Sequence, residues 1–168
     1  MALTKIIGEG IQGISNSADA TAITIDSNER VLMPSRPAFL ARRNGTTTSL
    51  SSGDIFSFDS VSIYGGFDTA SGYNTSTYTY TCPVAGLYWF HVGAILGSAT
   101  YSNAQWKIQL NGSDYEQRHF SSTNSDYYTN TIDTYINASA NDTVRVYAGT
   151  NLYFYGGQWS VFMGHLIG

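Results

Sequence analysis

One stretch of the chain, residues 68–92, reads DTASGYNTSTYTYTCPVAGLYWFHV. Residues 78–81 are aromatic or β-branched, and such side chains favour a strand because they fit a pleated surface. The run CPVAG at 82–86 predicts a turn, since proline fixes φ and glycine accepts positive φ. Residues 87–92 alternate between two faces that are both largely apolar. The stretch therefore predicts a hairpin whose second strand is covered on both faces, by a second sheet or by another subunit.

Short strands separated by turn signals continue through the rest of the chain. Asn111-Gly112 has the composition of a type I′ hairpin turn. Further turns are predicted at Asn141-Asp142 and at Gly156-Gly157. No long helical period and no heptad repeat interrupts this pattern. Regularly spaced short strands of this kind are typical of an all-β antiparallel sandwich or barrel.

The first stretch resembles the signature of C1q domains, the trimeric jelly rolls related to tumour necrosis factor. The residues that fall at the family spacings are Asp68, Tyr73, Gly86, Tyr88 and Phe90. The residues that depart from the pattern are Ser62 and Tyr80, at the two Phe positions, and Val92, at the last aromatic position. Segments 36–41 and 162–166 resemble the first and closing strands of the family.

The resemblance implies a C1q/TNF-like jelly roll of ten antiparallel strands that assembles as a tight trimer. It extends over residues 36–168, which we predict to be one domain. We assign to its core or trimer interface the following residues: Phe39, Tyr73, Tyr80, Gly86, Tyr88, Phe90, Trp106, Phe162 and Gly164.

Residues 1–35 form a predicted arm with little capacity for a core. All 13 Tyr and all three Trp follow residue 63, and Phe39 is the only aromatic residue before residue 55. The arm contains β-branched residues at 20–26, a turn at 27–28 and an extended run at 30–33, which together predict a hairpin. A hairpin is marginal on its own in water. We therefore expect the arm to be an attachment segment that becomes ordered against a partner.

Charge is scarce and unevenly distributed. Charged residues are 12% of the chain and the formal net charge is −4. Residues 1–43 carry five basic and four acidic side chains, whereas residues 44–168 carry three and eight. An acidic body argues against nucleic-acid binding, which needs a basic surface. No signal peptide, collagen-like repeat or transmembrane run is expected.

The sequence contains no recognisable catalytic motif, and we expect no enzymatic activity and no cofactor. We interpret His91, His119 and His165 as packing or interface residues, although a triad is recognised by geometry and not by sequence. Calcium at Asp114 and Glu116 is the weaker alternative to two solvated acids. Cys82, the one cysteine, is expected to be a small buried residue and excludes an intrachain disulfide.

Three segments after residue 96 mix tyrosine with Ser, Asn and Gly, the composition of adaptable recognition surfaces. The candidate recognition residues are Tyr101, Tyr127, Tyr153 and Tyr155. For the last two, the alternative is an ordinary strand.

The arm is also similar to N-terminal segments of phage fibre and virion proteins, in residues 3–6, 23–27 and 33–39. This resemblance implies a non-enzymatic homotrimer on a bacteriophage virion surface, docked to other virion proteins through the arm. It would be a capsid decoration protein or a short head or tail appendage. The alternative is a tail-fibre or tail-needle tip adhesin that binds a host-surface glycan or protein. Neither role involves membrane insertion.

Overall fold

A computed structural model of the chain describes residues 24–25, 27–33, 35–97, 100–122 and 127–168. The chain divides into two units, Met1–Pro34 and Ser35–Gly168. In the first unit, β1 (Thr24–Ile25) pairs antiparallel with β2 (Val31–Leu32). This pairing confirms the hairpin predicted in the arm; residues 3–6, which carry part of the phage resemblance, lie outside the described residues.

The second unit contains a seven-stranded sheet, which we call the large sheet. Its strands are β3 (Ala38–Ala41), β4 (Thr47–Leu50), β5 (Phe67–Asp68), β8 (Gly86–Gly97), β11 (Tyr127–Ala138), β13 (Leu152–Tyr155) and β14 (Val161–Leu166). Strand β8 is its centre, because β11 pairs with the whole of one edge while β14 and β13 pair with the other. A short 3-10 turn, Gly157–Trp159, separates β13 from β14.

A five-stranded sheet, the small sheet, faces the large one. Its strands are β6 (Tyr73–Asn74), β7 (Thr79–Thr81), β9 (Tyr101–Leu110), β10 (Ser113–Ser122) and β12 (Thr143–Ala148). All pairings recorded in the two sheets are antiparallel. The predicted all-β antiparallel sandwich is confirmed. It has more strands than the ten that the resemblance implies, because β5 and β6 are separate strands of two residues and a 3-10 turn divides β13 from β14.

The stretch at 68–92 is not the hairpin that its sequence predicts. Strands β7 and β8 lie in different sheets, so the turn at 82–86 carries the chain from one layer of the sandwich to the other. The alternation in β8 has the expected consequence: Tyr88, Phe90 and Val92 are each 0% exposed. The pattern identified two strands and a turn correctly, but their pairing depends on residues far away in sequence.

The hairpin at Asn111-Gly112 is confirmed. The two residues connect β9 directly to β10 and have φ values of 51° and 80°, and a type I′ turn requires positive φ at both positions.

Aromatic rings fill the space between the sheets. Phe39 stacks on Tyr80 with ring centroids 4.3 Å apart and meets the edge of Phe162 at 4.9 Å. At the other end of the core, Phe56 lies 4.9 Å from Phe154 and 5.6 Å from Trp106. This core is complete within one chain, so contacts with other molecules must use the outer surfaces.

Candidate functional site

The large side chains that we assigned to the core or interface all lie between the sheets. Their relative exposures run from 0% to 7%, for Phe39, Tyr73, Tyr80, Tyr88, Phe90, Trp106 and Phe162. An interface with another subunit therefore has to use other side chains, on the outer surfaces of the protomer.

The two glycines of that set allow close approach of neighbouring groups. A Cβ on Gly164 would lie 2.6 Å from the ring of Phe90 and 3.0 Å from the carbonyl oxygen of Trp89. Gly86 has φ of 155°, and its Cβ would lie 2.9 Å from the carbonyl oxygen of Gly168. Any side chain at either position would push apart strands of the large sheet.

Asp68 and Tyr73, both at family spacings, hold the loop between the sheets. Asp68 Oδ2 accepts a hydrogen bond from the backbone N–H of Tyr73 at 2.8 Å. The other carboxylate oxygen, Oδ1, accepts one from the backbone N–H of Gly72 at 3.2 Å. The Tyr73 hydroxyl donates to the carbonyl oxygen of Phe58 at 2.8 Å. Burial strongly raises the pKa of this hydroxyl above its usual range, so it remains a donor. These residues are structural.

The outward face of the large sheet carries a contiguous set of mostly apolar side chains. One cross-strand row runs from Tyr135 through Trp89 and His165 to Ala38. The next row runs from Asp133 through His91, Met163 and Leu40 to Phe67. We call these two rows the outer patch.

The outer patch is only partly covered by the protomer itself. Tyr135 is 62% exposed and Phe67 is 45% exposed. Trp89 stacks on His91 with centroids 5.7 Å apart and lies 5.4 Å from His165. A contiguous exposed apolar surface on a soluble domain usually marks an interaction site.

The one carboxylate of the outer patch is already paired within it. Asp133 Oδ1 lies 2.9 Å from His91 Nδ1, so that nitrogen donates the hydrogen bond. A catalytic triad would also need a nucleophile next to His91. The other contact described for the His91 ring is with Trp89, which is not a nucleophile. His119 instead lies 3.0 Å from the side-chain oxygen of Asn103. The hydrogen bonds described for His91 and His119 thus join them to an acid and an amide, and neither joins a Ser, Thr or Cys side chain.

A second surface feature, which we call the aromatic groove, has a volume of about 520 Å³. It is lined by the aromatic residues Tyr64, Tyr127, Tyr155 and Trp159 and by polar residues that include Asn44 and Gln158. Trp159 is 56%, Tyr64 60% and Tyr127 67% exposed. None of the described residues that line the groove carries a formal charge. It therefore offers ring faces and neutral hydrogen-bonding groups.

The groove has a firm base of hydrogen bonds. Arg42 donates to the carbonyl oxygen of Tyr64 at 3.1 Å and to that of Gln158 at 3.0 Å. The backbone N–H of Gly156 donates to the carbonyl oxygen of Thr46 at 2.6 Å. These bonds connect three of the four segments that line the groove, those around residues 44–46, 64 and 155–159.

The four candidate recognition tyrosines do not lie together. Tyr127 and Tyr155 both line the aromatic groove, with ring centroids 5.2 Å apart. Tyr153 belongs to strand β13 and is 36% exposed. Tyr101 is placed differently from our expectation: it begins β9, is 8% exposed and packs on Phe120. Its hydroxyl accepts a hydrogen bond from the Tyr153 N–H at 3.1 Å, which ties it to the protomer's own structure.

Asp114 and Glu116 are engaged by cationic side chains. Asp114 pairs with Lys107 and also accepts a hydrogen bond from the Gln109 amide at 3.0 Å. These hydrogen bonds, from Gln109 and then Lys107, lower the Asp114 pKa. Glu116 pairs with Arg118. Within the described ranges no cluster of three or more His, Cys, Asp or Glu side chains is arranged to hold a metal ion.

Cys82 is fully buried in the core. Burial, followed by the nearby Asp142 carboxylate, raises the pKa of its thiol to about 12. The thiolate is the reactive form of cysteine, so this environment keeps Cys82 inert.

Comparisons with known proteins place the fold. Residues 38–167 match the C1q domain family, and the chain belongs to that family. Two solved structures share the fold: the globular domain of zebrafish complement 1qA protein and the Eiger TNF of S. frugiperda. The first is 16% identical with a TM-score of 0.56 and covers 79% of this chain and 98% of its own. The second is 12% identical with a TM-score of 0.59 and covers 79% of this chain and 93% of its own.

These comparisons confirm the C1q/TNF-like jelly roll. Domains of this family typically form trimers and are generally not enzymes. No curated protein matches the sequence. In the described part of the chain, no helix has the length and apolarity needed to cross a membrane.

Sequence reasoning missed two residues of the aromatic groove, Tyr64 and Trp159. Tyr64 directly precedes Gly65-Gly66, and Trp159 follows Gly156-Gly157 by two residues. An aromatic residue this close to a glycine turn could have been used to predict an exposed ring. Sequence reasoning did predict that the outward face of β8, which carries Trp89, is covered by a second sheet or by another subunit. The outer patch becomes visible only when β3, β14 and β11 are placed on either side of that strand.

Proposed function

We propose that the protein is a non-catalytic homotrimer that attaches to the outside of a bacteriophage particle through its N-terminal arm. It would serve as a capsid decoration protein or as a short head or tail appendage. The observation that carries the trimer is the outer patch, a contiguous apolar surface that one protomer leaves partly uncovered. Trimers are also typical of the family.

The physical argument for association is the chemistry of that surface. Stable interfaces have apolar, aromatic-rich centres with few charges. The outer patch has Trp89, Tyr135 and Met163 across its rows, and its one carboxylate already faces a histidine. The hydrogen bond between His91 and Asp133 offsets part of the cost of desolvating that carboxylate when the patch is buried.

The argument for attachment through the arm rests on its inability to stabilise itself. Strands β1 and β2 are two residues long each, and an isolated two-stranded hairpin is marginal in water. A partner surface on the particle would supply the missing contacts. Three arms on one trimer would also bind with avidity, because the second and third contacts form within one complex.

Analytical ultracentrifugation of the full chain at micromolar concentration tests the trimer. We expect one species at three times the mass of the chain; a monomer would overturn the proposal. Deleting residues 1–35 tests the arm: the body should remain trimeric and folded but no longer be incorporated into particles. Retained incorporation would refute the docking role.

The alternative function is a tail-fibre or tail-needle tip adhesin for a host-surface glycan or protein. The aromatic groove favours it, since Tyr127 and Trp159 expose more than half of their surface at one place. Immunogold labelling of phage particles separates the two. Label over the whole capsid would exclude a dedicated tail adhesin, and label confined to the tail would exclude capsid decoration. Binding of the purified protein to whole host cells would support the adhesin.

A further inference from the structure

We propose that the aromatic groove is a binding site for a neutral oligosaccharide. The proposal deepens the adhesin alternative by naming the site and the ligand class, and it holds equally for a capsid protein that contacts cell-surface sugars. Three features carry it: exposed aromatic rings, neutral polar groups in the same lining, and hydrogen bonds that connect three of the lining segments.

The rings supply surfaces for the apolar faces of sugar rings. A pyranose presents C–H groups on its faces and hydroxyls around its edge, so it packs flat against an aromatic ring. Trp159 and Tyr64 are 56% and 60% exposed, although burying such side chains is normally favourable. Tyr127 and Tyr155 add a second pair of rings at 5.2 Å. Tyrosine and tryptophan combine large apolar area with a polar tip and lose little entropy on binding.

The polar residues of the groove suit hydroxyl groups. Asn44 and Gln158 carry amides, which both donate and accept hydrogen bonds. A volume of about 520 Å³ falls within the range of about 300–1,000 Å³ usual for small-ligand sites. The described lining residues include no Lys, Arg, Asp or Glu. The chemistry therefore favours a neutral sugar over a phosphorylated or acidic one, whose charge would need a cationic partner.

Hydrogen bonds hold three of the four lining segments in place before any ligand binds. Arg42 bonds to the carbonyl oxygens of both Tyr64 and Gln158, which lie on different segments. Gly157 donates its N–H to the carbonyl oxygen of Arg43 at 2.8 Å. A preorganised site loses less entropy on binding than one that must be ordered.

The groove is separated from the outer patch along β8. Tyr127 pairs with Gly97, whereas Tyr135 pairs with Trp89. At about 3.3 Å per residue, those positions on β8 are about 26 Å apart. Each protomer of a trimer formed through the patch would keep its groove only if the interface ends short of Tyr127, which lies on the same face of β11 as Tyr135.

The fold also provides a matched pair of variants. Tyr64 and Tyr78 both have positive φ, at 47° and 57°, a conformation that asparagine adopts more readily than tyrosine. Tyr64→Asn and Tyr78→Asn should therefore both fold, but only the first removes a ring from the groove.

The test is saturation-transfer NMR with the full-length protein and four neutral probes: maltohexaose, cellohexaose, chitohexaose and mannohexaose. A heparin hexasaccharide is the anionic comparison. We expect at least one neutral probe to bind with millimolar or better affinity. Trp159→Ala and Tyr64→Asn should weaken it at least about tenfold, which corresponds to about 1.4 kcal/mol, and Tyr78→Asn should leave it unchanged.

Several results would overturn the assignment. They are the absence of transfer from every neutral probe, equal binding by Trp159→Ala, or stronger binding of the heparin fragment. Ultracentrifugation of Trp159→Ala distinguishes this proposal from the trimer. If that variant alone becomes monomeric, the groove belongs to the subunit interface and is not a sugar site. If the wild-type protein is monomeric but binds sugar, the trimer fails and the site stands.

Discussion

The two faces of β8 carry similar side chains in different situations. On the inward face, Tyr88 and Phe90 are completely buried against the small sheet. On the outward face, Trp89 and His91 are only partly covered, and Leu87 is 39% exposed. One face is completed by the same chain, and we propose that a second subunit completes the other. Apolar alternation on both sides of a strand thus indicates burial, but it does not say whether the covering surface comes from the same chain.

The largest effect on stability should come from removing a large side chain from the inward face of β8. Phe90→Ala removes a ring that lies 5.9 Å from Tyr80 and 6.2 Å from Phe162. We expect a loss of about 3–5 kcal/mol in the free energy of unfolding, because a cavity forms in a packed core. Urea unfolding followed by near-UV circular dichroism measures it. A loss below about 1 kcal/mol would mean that the inward face is not the tightly packed one.

A charge on the outward face should act on assembly. Trp89→Glu would place a carboxylate in the middle of the outer patch, and burying an unpaired charge costs several kcal/mol. We expect the trimer dissociation constant to rise at least about 100-fold, which is about 2.7 kcal/mol. The protomer should keep its far-UV circular dichroism spectrum.

The matched control for that change is Val84→Glu. Val84 is 44% exposed in the turn at 82–86, outside the outer patch, and its replacement should leave the sedimentation coefficient unchanged. If both variants dissociate, the effect is not specific to the outer patch. If neither dissociates, the outer patch is not the trimer interface.

Two buried tyrosines sharpen the account of the inward face. The Tyr73 hydroxyl donates to Phe58, whereas the Tyr80 hydroxyl has no hydrogen-bond partner among the described residues. Tyr73→Phe should cost about 1–2 kcal/mol, since it leaves a buried carbonyl unpaired. Tyr80→Phe should be neutral or stabilising, since it removes a buried polar atom. Thermal unfolding of the two variants side by side gives the comparison, and equal destabilisation would contradict it.

The smallest effect is expected on the small sheet, where Asp114 pairs with Lys107. Hydrogen bonds from Gln109 and then from Lys107 lower the Asp114 pKa in the folded state. Their stabilisation is therefore present above the ordinary carboxyl pKa and is lost as the pH falls through the lowered value. The Asp114 side chain is 47% exposed, and exposed pairs contribute about 0.2–1 kcal/mol. Asp114→Asn should lower stability by that amount at pH 7 and by nothing near pH 2. A pH-independent difference would assign the effect to another cause.

Prediction from the sequence succeeded where the information is local. The alternation in β8, the Asn111-Gly112 turn and the β1–β2 hairpin each depend on a few neighbouring residues. It failed at the turn at 82–86, where the strands on either side enter different sheets. Strand pairing depends on which distant segments compete for each edge, and the partners of β8 are β11, β13 and β14, all of which follow it by many residues.

The candidate surfaces show the same division. Composition alone suggested recognition for the segments that contain Tyr101, Tyr153 and Tyr155. Whether a ring in such a segment is exposed depends on the packing of strands, which buries Tyr101 and leaves Trp159 exposed. The aromatic groove combines segments around residues 44–46, 64, 127 and 155–159. Such a site has no contiguous signal in the sequence.

The sequence by itself determined the all-β class, the family, the strands and their inward and outward residues, because side-chain period and turn chemistry are local properties. The tertiary structure alone decided which strands pair, which alternating face is closed within the protomer, and which exposed rings meet in one groove. The reason is that the partner of each sheet edge, and the residue that covers each ring, come from distant parts of the chain. Only the folded backbone brings them within contact distance.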